Sequence, residues 1–333
     1  MRNNSNLKLK TQTRFDVITI GGATRDIFFE TSKGRIISNS QDPLEEKLLA
    51  FEYGAKIIPE EVYFSYGGGG ANVASSFGCL GLKVAACLNL GKEGTGDLVL
   101  KNLKKAKVNT SLVRRDSRLH TGLSFILSCP SGERVIFSFH GANTNLTLDE
   151  KKLAKTKWLY LTSLRGKANK LLTKIAHLAA KNNLSWAFNP GEEQLKRGYW
   201  GLREFLRQIS VLILNKDEAI ELVLSHHKKI KISQIENLLK TIKKWGPKIV
   251  TITDGEGGAW AYDGQKIHYQ EAFKIKTKDM TGAGDAFGST FVGMIILGYN
   301  IEEALKLAAK NAGSVVSHFG AQEGLLSLEK LLR

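Results

Sequence analysis

The segment Asp279-Met280-Thr281-Gly282-Ala283-Gly284-Asp285 sets two carboxylates around a turn of small residues. It then runs into an apolar, helix-compatible stretch, residues 286–297. Gly282, Ala283 and Gly284 carry little or no side chain, so their amides can approach a ligand closely. At a helix start such amides lack intrahelical acceptors and the helix dipole is positive, so the turn can hold an anion. Asp285 at the mouth of that turn suits one task in particular: taking the proton of a hydroxyl that attacks a bound phosphate. The alternative is an aspartate cap after a flexible loop.

Other polar residues stand at the ends of strand-like runs. Asp26 follows the apolar run 17–20, and Asn72 ends the glycine run Gly67, Gly68, Gly69, Gly70. Open α/β sheets bind ligands beyond such strand ends. A carboxylate and an amide there suit hydroxyl groups; a flexible hinge is the other reading of the glycines. Asn215 and Glu218 lie three apart after the run 211–214, so on a starting helix they share a face. They suit the water shell of Mg²⁺, or form a capping box; the two are compatible. Thr253-Asp254-Gly255 with Gly257, and Asn189-Pro190-Gly191, are post-strand turns near which phosphates can bind, or plain turns.

Taken in order, these motifs resemble the ribokinase/PfkB family of sugar and nucleoside kinases over residues 15–324. The resemblance implies that Asp26, Gly68, Gly69, Gly70, Asn72 and Asp279 face substrate hydroxyls. Asp285 is then the general base, and Gly282, Ala283 and Gly284 form the anion hole. Asn189, Asn215, Glu218, Thr253, Asp254, Gly255 and Gly257 line the nucleotide phosphates, and Asn311 meets adenine. Glu218 holds Mg²⁺ through water, while Asp279, Thr281 and the Gly320-Ala321 loop hold K⁺. The implied reaction is ATP-dependent phosphorylation of a hydroxymethyl group on a small sugar or nucleoside, phosphosugars included. A homodimer through the lid is implied as well.

There are departures. Met280 stands where the family has a small or β-branched residue, and Gly69 where ribokinases carry lysine. The stretch between Asp26 and Asn72 is about fifteen residues longer than in ribokinases. Gly324 replaces a hydroxyl ligand of the cation site.

Composition sets bounds on these readings. The 333 residues are 42% hydrophobic and 24% charged, as in an ordinary globule. No apolar run is long enough to cross a membrane, and residues 1–12 are polar and read as a flexible tail. Cys79, Cys87 and Cys129 form no close pair, which suits reduced thiols in a cytoplasmic protein. The net charge of +16 is spread over many segments. Its densest cluster, residues 227–231, has no aromatic neighbours for base stacking, so nucleic acid is not expected.

Strand-like runs 17–20, 84–88, 158–161, 185–188, 211–214 and 249–253 alternate with helix-length segments. The latter are residues 72–80, 98–105, 167–181, 216–224 and 233–245. This alternation predicts a mostly parallel sheet covered by helices on both faces. That matches a ribokinase-like three-layer sandwich, one domain over residues 13–333. Residues 27–66 and the hairpin 121–140, turning at Pro130-Ser131-Gly132, break the pattern and are expected to form a small β-sheet lid.

Two rival functions are weaker. A dinucleotide-binding enzyme carries its glycine fingerprint after the first strand, and Gly21-Gly22-Ala23-Thr24-Arg25-Asp26 lacks it. Gly91-Lys92-Glu93-Gly94-Thr95-Gly96 is no P-loop, because it lacks the terminal Lys-Ser/Thr. A non-catalytic sugar- or nucleotide-binding regulator would have little use for Asp285 beside its turn.

Overall fold

The computed structural model describes residues 15–38, 47–128, 134–227 and 234–333. The polar tail 1–12, Cys129, the turn 130–132 and most of the lysine cluster 227–231 lie outside these residues. The strands, in chain order, are β1 (Phe15–Ile20), β2 (Thr24–Glu30), β3 (Arg35–Ser38), β4 (Lys47–Ala50), β5 (Glu61–Gly67), β6 (Val84–Cys87), β7 (Asn89–Gly91) and β8 (Arg114–Asp116). They continue with β9 (Gly122–Ser128), β10 (Arg134–Phe139), β11 (Thr156–Leu161), β12 (Ser185–Phe188), β13 (Val211–Asn215), β14 (Ile249–Thr253), β15 (Ala259–Tyr262) and β16 (Ile267–Gln270). The helices are α1 (Gly69–Cys79), α2 (Gly94–Lys105), α3 (Glu150–Leu153), α4 (Leu171–Lys181), α5 (Glu192–Leu195) and α6 (Gly198–Leu206). After them come α7 (Lys216–Leu224), α8 (Ile235–Lys244), α9 (Ala283–Leu297), α10 (Ile301–Val316) and α11 (Leu328–Leu332).

The central sheet has eight strands in the order β16-β15-β14-β13-β12-β11-β1-β6. All six strand-like runs of the sequence are in it, and those six pair in parallel. The last two strands, β15 and β16, add antiparallel at one edge.

Strand side chains alternate between the two faces. Ile18, Leu159, Leu161, Trp186, Phe188, Leu212 and Leu214 point into a core with helices α4, α6, α7 and α8. Their neighbours Val17, Tyr160, Ala187, Val211 and Ile213 point into a second core with α1, α2, α9 and α10. These are three layers with two apolar interfaces. Each fully buried Leu, Ile or Phe there contributes about 1.5–3 kcal/mol of burial free energy. Among the described residues no helix is long and apolar enough to cross a membrane.

A second sheet has the order β10-β9-β2-β5, with β2 and β9 parallel and the other pairs antiparallel. It joins the central sheet through the short turn after β1, where both the amide and the carbonyl of Ala23 bond the Asn143 side chain at 3.0 and 2.9 Å. Among the described residues, strands β3 and β4 pair only with each other, and Leu48 and Tyr53 nearby are exposed rather than packed into the α/β core.

Candidate active site

Helix α9 begins at Ala283, earlier than the apolar run suggested, so Asp285 lies in its first turn. Gly282 caps it with φ 81°, a left-handed backbone that favours glycine. A Cβ at Gly282 would also lie 2.4 Å from that of Ala321, so the 320–321 loop is pressed against the turn. Gly284 meets nothing, since a Cβ there finds no heavy atom within 4 Å. The amides of this turn have no acceptor four residues back.

Asp285 is partly open to solvent yet enclosed by protein on most sides. Burial raises its pKa above the ordinary aspartate value, opposed by a hydrogen bond from Asn72. Asn72 Nδ2 donates to Asp285 Oδ2 at 2.8 Å. The other end of that amide, Oδ1, accepts from Gln322 Nε2 at 2.9 Å. Gln322 Oε1 accepts in turn from Asn102 Nδ2 at 2.7 Å and Ser75 Oγ at 3.0 Å. Asn72 therefore spends most of its amide on orienting Asp285, with one N–H left for a ligand. Gly68 and Gly70 in the preceding run answer to packing: Cβ atoms there would lie 2.5 Å from Ala23 Cα and 2.7 Å from Leu88 Cδ2. Gly69 is close to Thr162, at 3.0 Å.

Asp26, beyond the first strand as expected, lies within β2 and so belongs to the second sheet. Its carboxylate is buried and accepts from Thr24 Oγ1 at 2.8 Å. Burial raises its pKa, countered by hydrogen bonds from Thr24 and Ser124, with Asp279 adding to the rise. Asp26 and Asp279 thus sense one another. Ser65, paired with Asp26 across β5, has a buried hydroxyl with no partner among the described residues. The sequence reading missed Ser65, because an isolated serine in a 40-residue insertion carries no local signal.

The nucleotide-side motifs converge at the carboxyl ends of β12, β13 and β14. Asn215 and Glu218 form the capping box: Glu218 N donates to Asn215 Oδ1 at 2.8 Å and Asn215 N to Glu218 Oε2 at 2.9 Å. Burial raises the Glu218 pKa; the Asn215 amide opposes this, and the charges of Glu221, Asp217 and Asp285 add to it. The capping box and the site next to Asp285 therefore coexist. Glu218 Oε1, free of any protein donor among the described residues, suits the waters of Mg²⁺. Thr253 ends β14 and leads into the tight Asp254-Gly255-Glu256-Gly257 turn, closed by Gly257 N to Asp254 O at 2.7 Å. Lys216 Nζ reaches Asp254 Oδ2 at 2.8 Å, tying the two motifs and bringing a cation to them. No motif had singled out Lys216.

Two of the expected nucleotide residues are hydrogen-bonded within the protein. Asn189 donates one side-chain N–H to Ile213 O at 3.1 Å, which joins strand ends and leaves its other N–H and its oxygen for a ligand. Asn311 is fully buried, donating to Thr290 Oγ1 at 2.7 Å and accepting from Leu326 N at 2.9 Å. Both ends of its amide are thus engaged inside the protein, one by a side chain and one by backbone.

The residues expected to hold K⁺ are together, but their side-chain donors do not fit a further cation. Asp279 Oδ1 accepts from Thr281 N at 2.9 Å and Thr281 Oγ1 at 2.7 Å; Oδ2 accepts from Gly320 N at 2.9 Å. Arg134 Nη1, from the second sheet, also binds Asp279 Oδ1 and Thr281 Oγ1.

The model of the pfkB family carbohydrate kinases matches residues 34–328. The chain is 25% identical to a ribokinase of Staphylococcus aureus over 283 residues, covering 84% of this chain and 91% of that one. It is 26% identical to a 5-dehydro-2-deoxygluconokinase of Listeria innocua over 348 residues, covering 98% and 97%. The structure of Arabidopsis thaliana ribokinase complexed with ribose and ATP is similar with a TM-score of 0.77 at 22% identity, covering 96% and 97%.

Proposed function

The chain belongs to the pfkB family of carbohydrate kinases, and on that premise we propose that it transfers the γ-phosphoryl group of Mg²⁺-ATP to a hydroxymethyl group of a small sugar or nucleoside. The observation that carries this reading is Asp285: an oriented carboxylate of raised pKa in the first turn of α9, at a helix start whose amides have no acceptor four residues back. The substrate hydroxyl gives its proton to Asp285. Its oxygen bonds the γ-phosphorus as the bond from that phosphorus to the β–γ bridging oxygen breaks, and ADP leaves. Phosphoryl transfer depends mainly on positioning and charge stabilisation. The amides of Gly282, Ala283 and Gly284 supply part of the latter.

Asp26, with Ser65 and the remaining Asn72 N–H, forms the acceptor's polar pocket. Asp279 is committed to Thr281, Gly320 and Arg134, so Asp26 is the main carboxylate for substrate hydroxyls. Mg²⁺, when bound, neutralises phosphate charge; Glu218 would hold its waters, and Lys216 would add charge nearby. Similarity to ribokinases favours a ribose-containing acceptor. The second sheet acts as a lid over this pocket, and its outer face joins two copies into a dimer. The protein works in the cytoplasm.

Asp285→Asn and Asp285→Ala test the central claim in an ADP-release assay across pentoses, hexoses, their phosphates and nucleosides. Loss of a general base should lower kcat by ~10²–10⁴, with ATP binding retained. Near-wild-type turnover by a folded variant, or full activity in EDTA, would overturn the mechanism.

A further inference from the structure

Asp279 is only 5% exposed, and a buried carboxylate demands compensation. It receives donors from three places in the chain: Thr281 in its own turn, Gly320 in the loop pressed against Gly282, and Arg134 at the start of β10. Arg134 is the fixed positive charge of the set. Its Nη1 also donates to Thr281 Oγ1 at 2.8 Å, and that hydroxyl passes its own hydrogen to Asp279. Thr281 directly precedes Gly282, and Ala321 packs so close to Gly282 that a Cβ there would lie 2.5 Å from Ala321 Cα. The guanidinium therefore braces the turn that carries the anion-binding amides, and it does so from the opposite sheet.

We propose that Arg134 is a positioning residue that takes the place of a bound monovalent cation, fixing the Asp279–Thr281 turn and with it the Gly282–Gly284 amides while the lid sheet is seated. This rests on the kinase reading and deepens it. Two consequences follow from the geometry. The enzyme does not need K⁺, because the cation is covalently part of the chain. Withdrawal of β10 unbraces the turn, so anion binding is tied to lid position.

The test compares wild type, Arg134→Lys and Arg134→Ala in K⁺, Na⁺ and tetramethylammonium chloride at fixed ionic strength. Wild type should turn over equally in all three. Arg134→Ala should lose roughly 10²-fold in kcat in tetramethylammonium, the size expected for a reacting group displaced by about an ångström. K⁺ or guanidinium should restore part of that loss. Arg134→Lys, which keeps the charge without the fork, should lose less than Arg134→Ala. Severalfold stimulation of wild type by K⁺, or an Arg134→Ala variant with wild-type kcat in tetramethylammonium, overturns the proposal. Hydrogen exchange gives a readout apart from turnover: amides 280–285 should exchange faster in Arg134→Ala. Unchanged exchange there also overturns it, whatever the activity. If wild type phosphorylates no sugar or nucleoside, the kinase reading fails, while the exchange result still reports whether Arg134 braces the turn.

Discussion

A proton acceptor must be ionised to act, and the surroundings of Asp285 work against ionisation. Burial holds its pKa above 3.8, the ordinary aspartate value. The acid limb of kcat/KM should therefore fall at a higher pH than an exposed aspartate would give, and Asn72→Ala should move it higher still by removing an opposing hydrogen bond. Stability runs the other way. For an acid whose folded pKa is raised, the fold is favoured below the unfolded pKa, and that advantage is lost as pH rises through the folded pKa. At pH 7 the wild type bears this cost and Asp285→Asn does not. Thermal melts should find the inactive variant more stable at pH 7 and no more stable below pH 3. Asn215 and Glu218 were legible in the sequence because they partner each other within a turn, and Asp285 because the small residues of its turn are its chain neighbours. Gln322, Lys216 and Arg134 were not, because each acts on a residue that only the finished fold brings near.

Helix α9 depends on two glycines for different reasons. Gly282→Ala forces a left-handed backbone at a cost of roughly 1–2 kcal/mol and drives a methyl group into Ala321; it should yield a destabilised protein of low activity. Gly284 has helical backbone and open space. Gly284→Ala should stabilise the helix by roughly 0.5–1 kcal/mol yet raise the KM for ATP or lower kcat, if phosphate packs on that amide. Melting curves and kinetics on both variants check this; unchanged kinetics in Gly284→Ala would remove that amide from the site. The parallel strands were legible because each is a short apolar run bounded by turn residues. β15 and β16 were not, since Trp260, Tyr262, His268 and Tyr269 mix polar and aromatic character in four-residue pieces. That Asp26 stands in a new strand was not legible, because Gly21 and Gly22 mask how soon the chain resumes as β2.

At the scale of the molecule, the outer face of the second sheet is apolar in rows that cross all four strands. Phe64, Ile27, Phe125 and Phe137 align in one; Val62, Phe29, Leu127 and Val135 in the next. Phe64 is 61% exposed and Phe137 63%, and Leu123, Phe125, Phe137 and Phe139 line a groove there. A contiguous face of this kind marks an interaction surface, and the dimer proposed above would bring the same rows of a second copy against it. Phe137→Asp should convert a dimer to a monomer in sedimentation measurements without changing the far-ultraviolet spectrum; a monomeric wild type would remove the interface. The sequence suggested this lid from its two β excursions. The rows themselves follow from the β2–β9 register, which no local pattern fixes.

The polar chain that aims Asp285 also says something about biosynthesis. Asn72 and Asp285 are 213 positions apart, Asn72 and Gln322 are 250, and Asn102 and Gln322 are 220. Contacts of such span close late, after the local helices and neighbouring strands have formed. A nascent chain on the ribosome can therefore fold most of its central sheet and still be unable to consume ATP. The Asn72 amide that orients the proposed base Asp285 is itself fixed only once translation has passed Gln322 and that residue has docked between Asn72 and Asn102. A kinase whose chemistry waits for this closure is protected against spending nucleotide while half-made.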